Sequence, residues 1–175
     1  MTSLDELRNR LAALVAIVRA HQTLHGRVRL QKLAYLLQQM RFEPLQHVRF
    51  AYHHYGPYSD QLAGVLDQAV ASGLIHEQVQ TSDEQRRRFT YEVVERHEDL
   101  QQLGMTEEQQ HALCSFHHAT ERAHWRTLEL AATIVYLQRR SGLTREQAVV
   151  RALGLKPACA DFREEALELL KTLSL

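Results

Sequence analysis

The stretch that most constrains the fold runs from Val28 to Leu62, VRLQKLAYLLQQMRFEPLQHVRFAYHHYGPYSDQL. Leu30, Leu33, Ala34 and Leu37 recur at helical spacing and predict a helix over 28–40 with one apolar face, which Pro44 prevents from extending far. Val48, Phe50 and Tyr52 then alternate with Arg49, Ala51 and His53, the period of a strand with one buried face, predicted over 46–54. A turn, Gly56-Pro57-Tyr58-Ser59, follows. Gly56 supplies backbone freedom, Pro57 fixes its own φ, and Ser59 is a good N-cap for a helix over 59–72 with Gly73 as its C′ residue.

The rest of the chain extends this frame on both sides. Ser3 and Glu6 have capping-box spacing and open a helix placing Leu4, Leu7, Leu11, Leu14, Val15 and Val18 on one face. After Gly73, residues 74–79 and 88–94 read as two strands around a polar turn, with Phe89, Tyr91 and Val93 alternating on the second. Helix, helix, strand, helix and β-hairpin is the order of a winged-helix-like module, the hairpin being the wing. Past Gly104 the signals are helical throughout. Thr106 with Gln109 and Thr144 with Gln147 are capping boxes, and the segment 124–139 is apolar on most sides, which makes it the buried centre of this half. After Pro157, Phe162, Ala166, Leu167, Leu170 and Leu173 mark a closing helix. The expected fold is therefore α+β and mostly α: a winged-helix-like N-terminal module over 1–104, packed with a C-terminal helical subdomain over 105–175 that shares its core.

Charge narrows the partner classes. Lysines plus arginines and aspartates plus glutamates number 21 each, and the two signs balance on both sides of Gly104, so only a local patch can meet a nucleic acid. The two cysteines, Cys114 and Cys159, form no paired framework, and the longest strictly apolar run, Leu11–Val18, is too short for a membrane span. Without a basic-then-apolar leader, these features predict a cytoplasmic protein with no membrane partner.

The pattern QKLAYLLQ, an aromatic-bearing strand, then YGPYS and an amphipathic helix resembles the YwgA-like family of small bacterial and phage proteins. It is also similar to the C-terminal domain of DarG-type antitoxins and, distantly, to the Panacea antitoxin domain. The likeness covers Leu30–Ile75, with a weaker echo in LELAATIVYL at Leu128–Leu137. It implies a non-catalytic interaction module of the antitoxin or regulator type, with no cofactor. Such a module binds a protein partner, such as a toxin, through the YGPYS turn, the second helix and the wing.

Six residues stand out as candidate partner- or DNA-contacting positions: Lys32, Tyr55, Tyr58, Arg86, Arg87 and Arg88. An Arg-rich wing tip can hold backbone phosphates, which suits the alternative of a winged-helix transcriptional regulator, although such a run also suits a solvated hairpin end beside Asp83 and Glu84. Tyr55 and Tyr58 suit an exposed aromatic contact or rings packed over the second helix. Lys32 reads as a surface residue or as the partner of a helix carboxylate. A third alternative is a hydrolase or metal enzyme using His53, His54 or the Cys114 cluster. His111, Cys114 and His118 fall on one helical face, but a second ligand-bearing segment is not evident, so no metal is predicted and Cys114 is expected to be a small buried thiol. No nucleophile elbow, phosphate loop or paired-carboxylate motif supports an enzyme. The apolar C-terminal helices leave room for a homodimer.

Overall fold

Sequence periodicity and capping account for most of the element boundaries in the computed structural model, which describes residues 3–81, 87–94 and 104–175. Helix α1 spans Ser3–Ala20, a two-residue strand β1 follows at Leu24–His25, and α2 spans Arg27–Gln39. A short 3-10 turn at Glu43–Leu45 leads to β2 (Ala51–His53) and β3 (Gly56–Tyr58), then α3 (Asp60–Ala71), β4 (Ile75–Thr81) and β5 (Arg87–Val93). Four helices complete the described chain: α4 (Glu107–Thr120), α5 (Trp125–Ser141), α6 (Arg145–Leu155) and, after a 3-10 stretch at Pro157–Phe162, α7 (Arg163–Thr172). The fold is α+β and mostly helical, as expected.

The strands form two small antiparallel sheets. One has the order β1-β5-β4, with Leu24 opposite Tyr91 and Ile75 opposite Val93. The hairpin β4–β5 is the predicted wing, and Thr81 and Arg87 form its last described rung. The second sheet corrects the expected long strand over 46–54. Following the 3-10 turn, that segment instead runs irregularly through Phe50 into the short β2, because Pro44 removes a backbone donor and Gln38 donates its amide to the Leu45 and Val48 carbonyls. Gly56-Pro57-Tyr58 is therefore not a turn but strand β3. It pairs with β2 across a two-residue loop, His54-Tyr55, with His53 opposite Gly56.

The capping signals carry through. Ser59 Oγ accepts from the Leu62 amide, and both Thr106/Gln109 and Thr144/Gln147 form reciprocal capping boxes. Gly142 ends α5 in the left-handed region at φ 63°. The end of α2 shows the same geometry without a glycine. Arg41 sits at φ 66°, its amide bonds the Gln38 carbonyl, and the Phe42 amide bonds the Leu37 carbonyl, a Schellman arrangement. Holding arginine there costs about 1 kcal/mol relative to glycine.

Buried residues from Ala13 to Leu173 form a single apolar cluster spanning the segments on both sides of Gly104. Its centre is α5, in which Leu128, Leu130, Ala131, Ala132 and Ile134 have no accessible surface. Each large aliphatic side chain so buried contributes about 1.5–3 kcal/mol. Two expectations need correcting here. Leu4 and Leu7 are exposed, Leu4 at 78%, because burial along α1 begins only at Ala12. And α2 is buried on all sides from Leu30 to Leu37 rather than along one face, because the 51–58 hairpin and α5 cover the side that carries Lys32 and Tyr35. Among the described residues, no helix is long and apolar enough to cross a membrane.

Candidate functional site

The hairpin β2–β3 sets exposed aromatic side chains over buried charge. Tyr52 and Tyr55 are 37% and 54% exposed, and His53 and His54 are exposed beside them with their rings edge to face at 5.1 Å. Tyr58 is half-buried against the His53 ring, with centroids 5.5 Å apart. Gly56 and Pro57 form the buried underside of the hairpin.

Beneath that underside lie three ionisable side chains from three helices or their ends. Lys32 of α2 is only 1% exposed, which corrects its reading as a surface residue; its Nζ donates to the Pro57 carbonyl at 2.7 Å. Glu129 of α5 and Lys156, which follows α6, form a buried ion pair at 2.7 Å. Lys156 also donates to the His54 carbonyl in the hairpin loop. Adjacent to Lys32, Gln31 fixes the hairpin's exit: its Nε2 donates to the Ser59 carbonyl at 3.0 Å, and the Ser59 amide donates to its Oε1 at 2.9 Å. The backbone from His54 to Ser59 is thus held from below by three side chains. A buried amine or amide so engaged costs far less than one left unpaired.

Gly56 allows this close approach. At φ 87° it adopts a left-handed conformation, and a Cβ there would lie 2.7 Å from Thr133 Oγ1. Thr133 cannot simply turn away, because its hydroxyl donates to the Glu129 carbonyl at 2.7 Å. The glycine is required by packing as well as by φ.

The charge balance explains the electrostatics. One carboxylate serves two amines, and Glu129 sits in direct contact with Lys156. Burial therefore dominates at Lys32 and pushes its amine down to about 7, with Glu129 opposing and Lys156 reinforcing the shift. With Lys32 neutral the three groups sum to zero. Burial likewise raises the Cys159 thiol to about 11, helped by the Glu129 carboxylate 3.8 Å away.

The other sequence-predicted residues separate from this cluster. Arg87 and Arg88 are exposed on β5 of the wing, and Arg86 lies outside the described residues together with Asp83 and Glu84. Ser59 is buried, its Oγ committed to capping α3. Cys114 is exposed, not buried as expected, because the apolar stripe of α4 runs through Leu113 and Phe116 on the neighbouring face. Among the described residues, no three His, Cys, Asp or Glu side chains are grouped to hold a metal ion.

Glu129 and Lys156 are the members of the site that residue patterns do not single out. Their signal is a carboxylate embedded in LELAATIV, a segment apolar on most sides, where a charge must find a buried partner. No protein-family model matches the chain, and comparison with curated proteins finds no match.

Proposed function

We propose that this chain is a non-catalytic interaction module that docks on a protein partner through the hairpin at residues 51–58. The observation that carries this reading is the pairing of exposed Tyr52 and Tyr55 with a backbone pinned by Lys32, Gln31 and Lys156. Rigid tyrosines lose little conformational freedom on binding, and such residues supply a large share of interface energy. Leu155, next in the chain to Lys156, adds an exposed apolar side chain. The likeness of QKLAYLLQ and YGPYS to antitoxin-type domains favours a toxin as the partner, an argument by analogy of fold.

The rival reading, a DNA-binding regulator, has less support. In a winged-helix-like layout α3 is the helix offered to a groove, and its sequence, DQLAGVLDQAVA, contains no Lys or Arg. Its exposed positions include Asp60 and Asp67, which repel phosphates. Arg87 and Arg88 alone are a small electrostatic footprint.

The test is co-purification of partners with the tagged protein from its native host, using the wild type, Tyr52→Ala/Tyr55→Ala and Arg87→Ala/Arg88→Ala. A protein retained by the wild type and the arginine variant, but lost from the tyrosine variant, is the expected outcome. Retention by the tyrosine variant overturns the hairpin assignment. Salt-sensitive binding to random duplex DNA that disappears in the arginine variant overturns the protein-partner reading in favour of DNA.

A further inference from the structure

A second site lies around the C-terminal ends of α2 and α5. There the last turn of α2, the irregular segment before β2 and the last turn of α5 enclose a cleft of about 470 Å³. Arg41, Arg49, Arg139 and Arg140 all line it, from three separate parts of the chain, and no Asp or Glu does. This contrasts with the chain's zero net charge and with Arg10, Arg27 and Lys156, each of which has a carboxylate partner. None of the four cleft arginines forms a side-chain hydrogen bond or ion pair with a described residue.

The cleft is built rather than incidental. Gln38 holds its middle wall by donating to the Leu45 and Val48 carbonyls, both at 2.7 Å, and the Arg49 amide donates to Gln61 Oε1 at 2.9 Å. Its aromatic wall is continuous: Tyr35 packs edge-to-face on Phe50 at 5.0 Å, and half-buried Tyr136 lies 6.1 Å from Tyr35 and 5.6 Å from Tyr52. Cations at the ends of α5 and α2 also complement the helix dipoles, which accounts for Arg139, Arg140 and Arg41 but not for Arg49. Arg41 is placed here by the left-handed backbone position where glycine is the usual residue, and Arg49 comes from a different segment.

We propose that this cleft binds a nucleoside di- or triphosphate. Four exposed guanidinium groups lining one cleft without a competing carboxylate suit the paired oxygens of successive phosphates, since each fork can bind two oxygens at once. Tyr136 offers a ring on which a planar base stacks, and Gln39, whose Nε2 donates to Gln38 Oε1 at 3.1 Å, keeps its own Oε1 as an acceptor for a base edge. Neither feature serves a bare phosphate. No residue of the 51–58 hairpin lines the cleft, although Tyr136 borders Tyr52 of that hairpin, and the proposal does not depend on the docking reading.

Isothermal titration of the purified protein at low salt tests this, with ATP, AMP, inorganic tripolyphosphate and a single-stranded oligonucleotide as probes. Saturable one-to-one binding of ATP is expected, weaker for AMP and for tripolyphosphate. Arg139→Ala/Arg140→Ala should weaken ATP binding by about tenfold or more, the effect of losing charge-assisted hydrogen bonds. Arg41→Gly should weaken it too while leaving the melting temperature unchanged or higher, because glycine suits the left-handed position, so a loss there is not a folding defect. Arg87→Ala/Arg88→Ala, on the wing, should bind as the wild type. Unchanged affinity in both cleft variants overturns the site, as does equal weakening in the wing variant. Tripolyphosphate binding as tightly as ATP overturns the nucleoside assignment, and binding of the oligonucleotide alone overturns it in favour of nucleic acid.

Discussion

The described residues form two β-hairpins, and these are held to the helical body by opposite means. The 51–58 hairpin rests on Lys32, Glu129 and Lys156, all buried, with Gln31 securing its exit. The wing rests on a cluster at the surface: Arg27 donates to Glu77 at 2.9 Å and to the Tyr91 hydroxyl, Tyr91 donates to Glu77 at 2.6 Å, and Arg27 lies over the Phe89 ring. Water reaches the second cluster from one side: the Arg27 side chain is 43% exposed and that of Glu77 16%, over a fully buried Tyr91. The difference teaches where rigidity is placed. Buried charges tolerate only one arrangement of their partners, whereas solvated charges can exchange partners at little cost.

Paired carboxylate substitutions give this comparison its strongest test. Glu129→Gln leaves Lys156 buried without a counter-charge, which is expected to cost about 3–5 kcal/mol. Glu77→Gln removes the equivalent carboxylate from the wing, and solvent makes up for it, so about 1 kcal/mol or less is expected. Urea unfolding of both variants measures the two values side by side. Equal costs would break the distinction between a buried and a solvated foundation.

A smaller effect sharpens the wing side. Tyr91 is fully buried, and its hydroxyl bridges Glu77 and Arg27. Burial raises the pKa of the phenol and the hydrogen bond to the Glu77 carboxylate raises it further, with Arg27 opposing, so the hydroxyl stays protonated as a donor. Tyr91→Phe retains the ring and the direct Arg27–Glu77 contact, and is expected to cost about 1–2 kcal/mol, the net value of the two hydrogen bonds its hydroxyl makes. A loss as large as that of Glu129→Gln, measured in the same urea series, would show that the wing too rests on a network with no alternative partners.

The contrast also explains which features were legible in the sequence. The β4–β5 hairpin was, because Phe89, Tyr91 and Val93 alternate along β5 and Tyr91 faces the core as its position demands. The caps at Ser59, Thr106 and Thr144 were, because capping chemistry is local. The foundation of the 51–58 hairpin was not. Lys32 resembles any solvated lysine until α5 and the hairpin are brought over it, and its partners lie 25 residues on at Pro57 and further still in α5. Gly56-Pro57 likewise looked like a turn, because nothing local shows that residues 51–53 return to pair with it. The cleft arginines were missed for the same reason: four positions between 41 and 140 meet only in three dimensions.

Lys32→Met gives the smallest change in stability at neutral pH and the most specific signature. The folded-state amine titrates at about 7, against 10.5 for a free lysine side chain. Between those values the unfolded chain binds a proton that the folded chain has released, so stability rises with pH, by at most about 1.4 kcal/mol per unit. Cys159 acts in the opposite sense above pH 9, where the unfolded thiol ionises and the folded one, raised to about 11, does not. The clean window is therefore pH 7 to 9. At pH 7 methionine forfeits the bond to the Pro57 carbonyl but also the burden of a buried amine, and the net change should lie within about 1 kcal/mol. At pH 9 the wild type has gained stability that the variant cannot, so Lys32→Met should fall behind as pH rises. Thermal melts at half-unit steps across the window read this directly. Parallel curves for the two proteins would mean that Lys32 remains charged beneath the hairpin, and that its pinning of Pro57 is ionic rather than neutral.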